Sequence, residues 1–430
     1  MMKRIPLLCA FLFWALTAHA VTLDSNFDGG NGIADGTLED PAGTINIYTN
    51  RDDSTDPNYT DWFFFKLTDV QGSAWTIKVD FYHWTTSYWG ADHGNIRPVW
   101  SYDGETWNRL SSITSYSNGL LTFALPEMEQ NTVYVAMDVP YTYSDLQSDV
   151  AAWESSPYCT AAALSYSGIS TSQGGRNMYH LRIEEPGYYD NRLNLVITAR
   201  AHPGEPQASH HMKGMVDWIL SSDPTAVDFR RRVTLDVFPM LNPDGVYHGR
   251  LRNYNDTFDA NRQFDPIDGP DINDEPQETF LVHSKIHELR TETDYAIDLH
   301  SSNWSYPAIT EDQTTIGVDA WSSADKSAIL SALAALDTGD YWLNSIVNYD
   351  TEYFTTWRHG QPYQYHYKTL ISEGGIYTDS GGAYPTAETR QAGGAHFLQA
   401  FIEALDGGVA PAPGPQASFG GSMSGGGEVR

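Results

Sequence analysis

The chain has 430 residues, with 55 acidic and 25 basic side chains and a formal net charge of −30. Hydrophobic residues make up 41% of it and aromatic residues 13%, which is typical of a folded globular protein and not of an acidic disordered chain. A chain of this length has room for more than one buried core. The acidic balance argues against nucleic acid as a partner, because phosphate binding needs a basic surface.

The first 20 residues have the pattern of a secretory signal peptide. Two basic residues precede an apolar run from Ile5 to Leu16, and Ala18-His19-Ala20 provides a cleavage site of the small-x-small type. An apolar run of about twelve residues is too short to span a bilayer. We therefore expect an exported protein, periplasmic or extracellular, with no membrane span after cleavage. Of the 2 cysteines only Cys159 would remain, so no internal disulfide is expected.

Residues 21–155 are predicted to form an antiparallel β-sandwich domain. Short aromatic or β-branched runs alternate with turn residues such as Asp103-Gly104 and Asn118-Gly119. This pattern is typical of hairpins packed as two sheets. The predicted strands include 62–67, 75–81, 99–102 and 133–137.

Residues 156–406 are predicted to form an α/β domain, because strands alternate with helices there. We expect a mixed, largely parallel sheet with helices on both faces. The predicted strands are 193–199, 233–238, 295–299 and 369–372, and the predicted helices are 207–220, 275–291 and 388–405. Residues 407–430 are rich in Gly, Pro and Ser and are predicted to be a flexible tail.

Three of these strands run directly into ionisable side chains. His202 and Glu205 follow strand 193–199, and His300 follows strand 295–299. Glu373 follows strand 369–372. Ligands of open α/β sheets bind beyond the carboxyl ends of the strands. Two imidazoles and a carboxylate can fill three positions of a tetrahedral Zn²⁺ and leave the fourth open, as a catalytic zinc site requires.

A lone His-x-x-Glu is weak support for a metal site, but further motifs lie between these segments. Together the motifs resemble those of the zinc metallocarboxypeptidases, and specifically the branch similar to cytosolic carboxypeptidases. The matching segments are Ala201–Glu205, Phe238–Gly245, Asp259–Arg262, Ile297–Ser301 and Ser372-Glu373, in the family's order. The amino-terminal half also resembles that branch's β-domain, through Arg97–Tyr102, Trp107, Tyr134–Ala136 and Pro140–Tyr143.

The resemblance implies a zinc-dependent carboxypeptidase, which hydrolyses the C-terminal peptide bond of peptides and proteins. It makes His202, Glu205 and His300 the ligands of one zinc ion. It makes Glu373 the general base, which takes a proton from the zinc-bound water and later delivers it to the leaving amine.

Three further residues match positions of the family that bind substrate. The resemblance makes Arg252 the residue that stabilises the oxyanion. It makes Asn261 and Arg262 the pair that binds the substrate's terminal carboxylate. Taken singly, the alternatives are surface ion pairs for the two arginines and a helix cap for Asp259.

Two features depart from the family's pattern. The pocket tyrosine cannot be assigned, because Tyr349, Tyr353, Tyr363, Tyr365 and Tyr367 all compete for that position. Ser301–Trp304 also stands where cytosolic-type members carry basic residues.

Arg358 is a candidate for the specificity pocket. It precedes Glu373 in a stretch where relatives that trim acidic residues carry a basic residue, so we predict a preference for acidic C-terminal residues. A surface arginine is the alternative. Cleavage after Ala20 would leave 25 − 2 = 23 basic residues and a net charge of 23 − 55 = −32, which opposes polyacidic substrates at long range.

Two other functions stay open at this point. One is an amidase that uses the same zinc site on cell-wall peptides or N-acyl amino acids. The other is a non-catalytic exported binding protein, which the retained ligand set, Glu373 and Arg252 disfavour. His287-Glu288 begins like a zincin motif but lacks its second histidine. His283 and His287 are one helical turn apart and could chelate a metal, but we predict that they lie on an exposed helix face.

Overall fold

A computed structural model describes the chain over residues 20–40, 43–52, 59–84, 90–187, 192–253, 259–263, 270–289, 292–302, 308–312, 323–336, 346–349, 368–375 and 383–406. Residues 1–19, which make up nearly all of the predicted signal peptide, lie outside the described residues, as does the predicted tail 407–430. Within the described ranges, the helices include none with the length and apolar content that a bilayer crossing requires.

The amino-terminal part of the chain forms two sheets of mostly antiparallel strands, which we call the β-domain. Its strands are β1 (Thr22–Asp24), β2 (Ile33–Asp40), β3 (Thr44–Tyr48), β4 (Phe64–Thr68), β5 (Trp75–Asp80), β6 (Val99–Ser101), β7 (Asn108–Arg109), β8 (Ser115–Ser117), β9 (Leu120–Leu125) and β10 (Thr132–Ala136). The described strands pair in the orders β1-β4-β10-β6-β7 and β2-β3-β5-β9-β8. Buried and partly exposed residues alternate along β5, as expected for a strand with one face on the core.

The rest of the chain builds a mixed sheet. Its strands are β11 (Cys159–Ala163), β12 (Tyr179–Ile183), β13 (Leu193–Ala199), β14 (Val233–Phe238), β15 (Tyr295–Ser302), β16 (Ala308–Asp312), β17 (Ile346–Tyr349) and β18 (Lys368–Gly375). The described strands lie in the order β11-β12-β14-β13-β15-β18-β16-β17. The central strands β14, β13, β15 and β18 are parallel, whereas β12 and β16 join them as antiparallel neighbours.

Helices cover both faces of this sheet. They are α1 (Tyr143–Glu154), α2 (Pro206–Leu220), α3 (Pro224–Arg232), α4 (Pro243–Tyr247), α5 (Gln277–Leu289), α6 (Ser323–Leu336) and α7 (Ala387–Asp406). Leu195 and Ile197 of β13 belong to the same hydrophobic cluster as buried residues of α1, α2 and α7. Val196, between them, belongs to the cluster that contains buried residues of α5. Because successive side chains of a strand point to opposite faces, the two clusters lie on opposite sides of the sheet.

The predicted fold class is confirmed, with differences at the element ends. β15 and β18 continue through His300 and Glu373, where the sequence predicted that they end just before these residues. The helix α1 lies on the amino-terminal side of the predicted domain boundary at residue 155, yet its buried residues pack in the core of the mixed sheet. The domain limits themselves stay predictions.

Candidate metal centre

The ends of two neighbouring parallel strands bring the candidate metal ligands together. β13 leads into His202, Pro203 and Gly204, and Glu205 directly precedes α2, which begins at Pro206. Proline is favoured at this first helical position, because its missing N–H has no helical partner there. β15 pairs with β13 in parallel and carries His300 beyond the last paired residue of β13. Both segments therefore meet at one edge of the sheet.

The Glu205 carboxylate lies between the two imidazoles. Its Oε1 is 2.8 Å from His202 Nδ1, and its Oε2 is 3.1 Å from His300 Nδ1. The backbone N–H of Ser301 also donates to Oε2, at 2.9 Å. The three side chains are buried and offer ligand atoms that all lie within 4.8 Å of one another. They form a compact N, N, O donor set.

A second carboxylate lies behind each imidazole. His202 Nε2 is 3.2 Å from Asp259 Oδ1, and His300 Nε2 is 2.9 Å from Asp298 Oδ2. The other oxygen of Asp298 accepts a hydrogen bond from Thr198 Oγ1 at 2.7 Å. A histidine that binds a metal usually donates its other ring N–H to a carboxylate, which fixes the tautomer and the ring orientation. Both histidines have that partner, with Nδ1 directed at Glu205.

The electrostatics of this cluster favour positive charge between the three side chains. Burial raises the pKa of Glu205, but His202 and His300 lower it by more, so the carboxyl stays ionised far below its usual range. Burial lowers the pKa of His300, but Asp298 and Glu205 raise it by more, and the net pKa lies well above the usual value. Two imidazole nitrogens and one carboxylate oxygen in a buried cluster fit Zn²⁺, which prefers such ligands.

Arg252 and Asn261 also lie at this cluster. Arg252 pairs with Asp259 through Nε at 2.7 Å and Nη2 at 2.6 Å, and its side chain is largely buried. Asp259 also accepts a hydrogen bond from the backbone N–H of Asn261, so it caps the short 3₁₀ helix Ala260–Arg262 as well. The amide nitrogen of Asn261 is 3.3 Å from His300 Nε2. Arg252 is therefore part of the metal-site cluster, and not a surface ion pair.

Arg200 also contributes to this site, although the sequence alone assigned it no role. It has a positive φ of 59° and is buried, and its guanidinium donates to the carbonyl of Pro203 at 2.6 Å. It also donates to the Tyr141 carbonyl at 3.2 Å and to Ser209 Oγ at 3.0 Å. Burial lowers the pKa of Arg200 to about 10 although Glu205 opposes this, so the guanidinium stays charged at neutral pH. Arg200 thus fixes the loop that carries two of the candidate ligands.

The remaining predicted residues are described only in part. The backbone of Glu373 pairs in parallel register with that of His300, which places this position next to the metal-site cluster. Arg262 lies in the 3₁₀ helix, but its side chain is outside the described part of the chain. Arg358 lies outside the described residues altogether, as do Tyr353, Tyr363, Tyr365 and Tyr367. Tyr349 ends β17.

The prediction that His283 lies on an exposed helix face is wrong. His283 is buried in α5, and its Nδ1 is 2.6 Å from Glu275 Oε1. Neighbouring residues of α5 on both sides of His283 are buried as well, so protein covers more than one face of this helix. Helical spacing alone does not tell how many faces of a helix are covered.

Comparison with known proteins assigns the family. The family model described as zinc carboxypeptidase matches residues 161–383 of this chain. The family model described as cytosolic carboxypeptidase N-terminal domain matches residues 23–137. The chain belongs to the zinc carboxypeptidase family. The two matches confirm the family and the branch that the sequence motifs predicted.

Curated relatives of the zinc carboxypeptidase family are similar over about half of this chain. Cytosolic carboxypeptidase 2 of Xenopus tropicalis is 30% identical over 242 residues, which are 50% of this chain and 24% of that protein. Cytosolic carboxypeptidase 3 of Mus musculus is 32% identical over 244 residues, which are 50% of this chain and 23% of that protein. The match thus spans only about a quarter of each relative's length.

Solved structures share the fold over most of this chain. A metallo-carboxypeptidase from Burkholderia cenocepacia has a TM-score of 0.77 at 21% identity, and the match covers 90% of this chain and 100% of that one. A metallo-carboxypeptidase from Pseudomonas aeruginosa has a TM-score of 0.73 at 21% identity, with 90% and 99% covered. At this level of identity the similarity supports the fold.

Proposed function

We propose that this chain is an exported zinc-dependent carboxypeptidase that hydrolyses the C-terminal peptide bond of peptides or proteins. The observation that carries the proposal is the convergence of His202, Glu205 and His300 on one point beside Arg252. A family assignment alone would not say whether this chain retains a functional site. The buried ligand set and its carboxylate partners support a retained one.

His202 Nδ1, Glu205 and His300 Nδ1 would hold one zinc ion. Bound there, zinc supplies a Lewis acid that polarises the substrate carbonyl and lowers the pKa of water. Asp259 and Asp298 contact Nε2 of the two imidazoles and favour the tautomer in which Nδ1 carries no proton and would be available to the ion.

The other residues of the site act on water and substrate. Glu373 accepts a proton from the attacking water, and it delivers that proton to the amine nitrogen as the C–N bond breaks. Arg252 places a permanent positive charge where negative charge develops on the carbonyl oxygen. Asn261 and Arg262 bind the terminal carboxylate, so that the enzyme removes the last residue and does not cut within the chain.

The role of Glu373 can be separated from metal binding. The zinc content of Glu373→Gln should match that of the parent. Its kcat for a peptide with a blocked N-terminus and a free C-terminus should fall on the order of 100-fold to 10,000-fold. Glu403→Gln, a change at an exposed position of α7, should leave kcat unchanged. Hydrolysis by Glu373→Gln at the parent's rate would refute the proposed general base. If the parent leaves ordinary peptides uncleaved but hydrolyses cell-wall peptides or N-acyl amino acids, the protein would instead be an amidase.

We further propose that Arg358 favours acidic C-terminal residues, on the basis of its position upstream of Glu373. Peptides that end in Glu, Phe and Lys are compared as substrates. A charge-assisted contact should give the Glu peptide an advantage of about tenfold or more in kcat/KM, which Arg358→Ala removes. Arg232→Ala, which breaks an ion pair with Asp228, is the control. An unchanged preference in Arg358→Ala would exclude Arg358 as the determinant.

Export is proposed from the pattern of residues 1–20. Mass spectrometry of the full chain expressed in a bacterial host should find a mature form beginning at Val21, in the periplasm or the medium. A form that keeps its first 20 residues and stays in the cytosol would contradict export. The curated relatives above carry the word cytosolic in their names, which makes this measurement informative.

A further inference from the structure

The chain segment that carries Arg252 is held by a residue of the β-domain. Asp52 is buried with 1% of its surface exposed, and its Oδ1 accepts the backbone N–H of Leu251 at 2.8 Å. Its Oδ2 accepts the backbone N–H groups of Arg252 and, at 2.9 Å, Asn253. One carboxylate thus binds three consecutive N–H groups, although about 200 residues of chain separate it from them.

The same segment contacts the metal loop from its other side. The carbonyl of Leu251 accepts the backbone N–H of Gly204 at 2.7 Å, one residue before Glu205. A Cβ at Gly204 would lie 2.7 Å from Leu251 Cδ1 and 2.9 Å from its carbonyl oxygen, so the two backbones approach as closely as glycine permits. Residues 251–253 are therefore packed between Asp52 and the loop that carries two ligands.

A second contact of the β-domain reaches the Arg252 side chain. The guanidinium carbon lies 5.9 Å from the centre of the Tyr59 ring, within the range of a cation–π contact. The carbonyl of Tyr59 accepts the backbone N–H of Asp52 at 3.0 Å. Asp52 and Tyr59 thus form one unit of the β-domain that contacts both the backbone and the side chain of Arg252.

We infer that Asp52 is a positioning residue for catalysis, which holds the backbone of Arg252 so that the guanidinium meets the developing oxyanion. The inference rests on the role proposed above for Arg252. A carboxylate is the suitable group, because it offers several acceptor sites and no donor to three N–H groups. Burial raises the pKa of Asp52 to about 6, although the hydrogen bonds from these N–H groups lower it. Burying the ionised carboxylate therefore costs free energy, which the three hydrogen bonds only partly offset.

A double-mutant cycle tests the inference. Asp52→Asn keeps the shape but turns an NH₂ group toward at least one backbone N–H, which should displace Arg252. We expect kcat to fall by up to about 100-fold with KM nearly unchanged, because small displacements at a site have costs of this size. In the Arg252→Ala background the same change should have little effect. The affinity for a peptide phosphinate, which imitates the tetrahedral intermediate, should show the same non-additivity.

Asp138→Asn is the matched control. Asp138 is a buried aspartate that also joins the β-domain to the rest of the chain, but its partners are Arg109, Arg390 and Gln207. Asp138→Asn should change kcat by the same factor whether position 252 holds Arg or Ala. Asp52→Ser, which is smaller and keeps one acceptor oxygen, is taken through the same cycle as a second variant, and zinc content and thermal unfolding are measured for all of them.

The outcomes separate the inference from the proposed function. Additive effects of Asp52→Asn and Arg252→Ala would overturn the inference and leave the proposed function intact. Parental activity in Arg252→Ala would instead refute the proposed role of Arg252. Failure of both Asp52 variants to fold would make Asp52 a structural residue and would likewise overturn the inference.

Discussion

The two imidazoles of the candidate metal centre each contact two carboxylates, one through each ring nitrogen. Asp298 is two residues before His300 on the same strand, and its carboxylate is fixed by Thr198 of the neighbouring strand. The imidazole can therefore donate from Nε2 while Nδ1 stays available to a metal. The sequence motif contains Asp298, but only the strand pairing explains why an aspartate stands there.

Asp298→Asn should weaken zinc binding about 10-fold to 100-fold, because the amide no longer fixes and polarises His300. Competition with a chelator of known affinity measures the change. Asp236→Asn removes a similar partner from His180, where Nε2 and Oδ1 are 2.7 Å apart, and should leave zinc affinity unchanged. Equal zinc affinity in the parent and Asp298→Asn would contradict this role.

Asp244 and Glu278 form a buried pair of carboxyl groups that is not part of this cluster. Burial and the hydrogen bond to Asp244 raise the pKa of Glu278 to about 8, while the pKa of Asp244 is lowered. The folded protein thus holds a proton on Glu278 between pH 4.5 and 8, where the unfolded chain has lost it. Its contribution to stability is full below pH 4.5 and is lost as pH rises through 8.

Glu278→Gln should remove this pH dependence. The free energy of unfolding of the parent, relative to that of Glu278→Gln, should fall between pH 5 and 8.5 by on the order of 1–3 kcal/mol. Denaturant titrations at several pH values measure the difference, in which titrating groups that do not interact with Glu278 cancel. Glu127→Gln changes an exposed position, and its free energy of unfolding should vary with pH in the same way as that of the parent. A constant difference between the parent and Glu278→Gln would refute the raised pKa of Glu278.

At the scale of elements, α2 and α7 cross with their backbones in close contact. A Cβ at Gly214 of α2 would lie 1.8 Å from the Gln391 carbonyl oxygen, and one at Gly394 of α7 would lie 2.0 Å from that of His211. These distances are far below van der Waals contact, so any side chain there must push the helices apart. Since α2 begins directly after Glu205, its placement on α7 also sets the position of this ligand.

Gly394→Ala should therefore destabilise the protein by about 3 kcal/mol or more, at the upper end of what overpacking of a core usually costs. Thermal or denaturant unfolding measures the loss. Gly94→Ala makes the same substitution where a Cβ would have none of the described atoms within 4 Å, and its effect should be small. Equal stability of the two variants would contradict the close crossing.

The strands and helices that carry the site could be predicted from the sequence more accurately than the contacts between them. The apolar strand 193–199 and the helix that follows it were predicted within one residue of β13 and α2, because their hydrophobic periods are clear. The helix α1 was missed, since Tyr143, Leu146, Val150 and Trp153 read as a continuation of the aromatic β-domain. The burial of His283 and the roles of Arg200 and Asp52 depend on residues distant in sequence, which spacing does not reveal.

At the scale of the whole molecule, the β-domain is joined to the rest of the chain through buried charged groups. Asp138 binds Arg390 of α7 and Gln207 of α2, and Asp52 binds the backbone beside the metal loop. Buried charges are tolerated only when they are paired and hydrogen-bonded, so these contacts fix one orientation of the two parts. The arrangement explains how a domain that contributes none of the three ligands His202, Glu205 and His300 affects the geometry of their site.

Counting zinc ions per chain tests the central claim most directly. After reconstitution with zinc and removal of excess metal, elemental analysis should find about one ion per chain in the parent, as expected for a single site of three protein ligands. Glu205→Ala should lose the ion, whereas His180→Ala, which changes a histidine outside the cluster, should keep it. A parent that retains no zinc, or a Glu205→Ala variant that retains as much as the parent, would contradict the account.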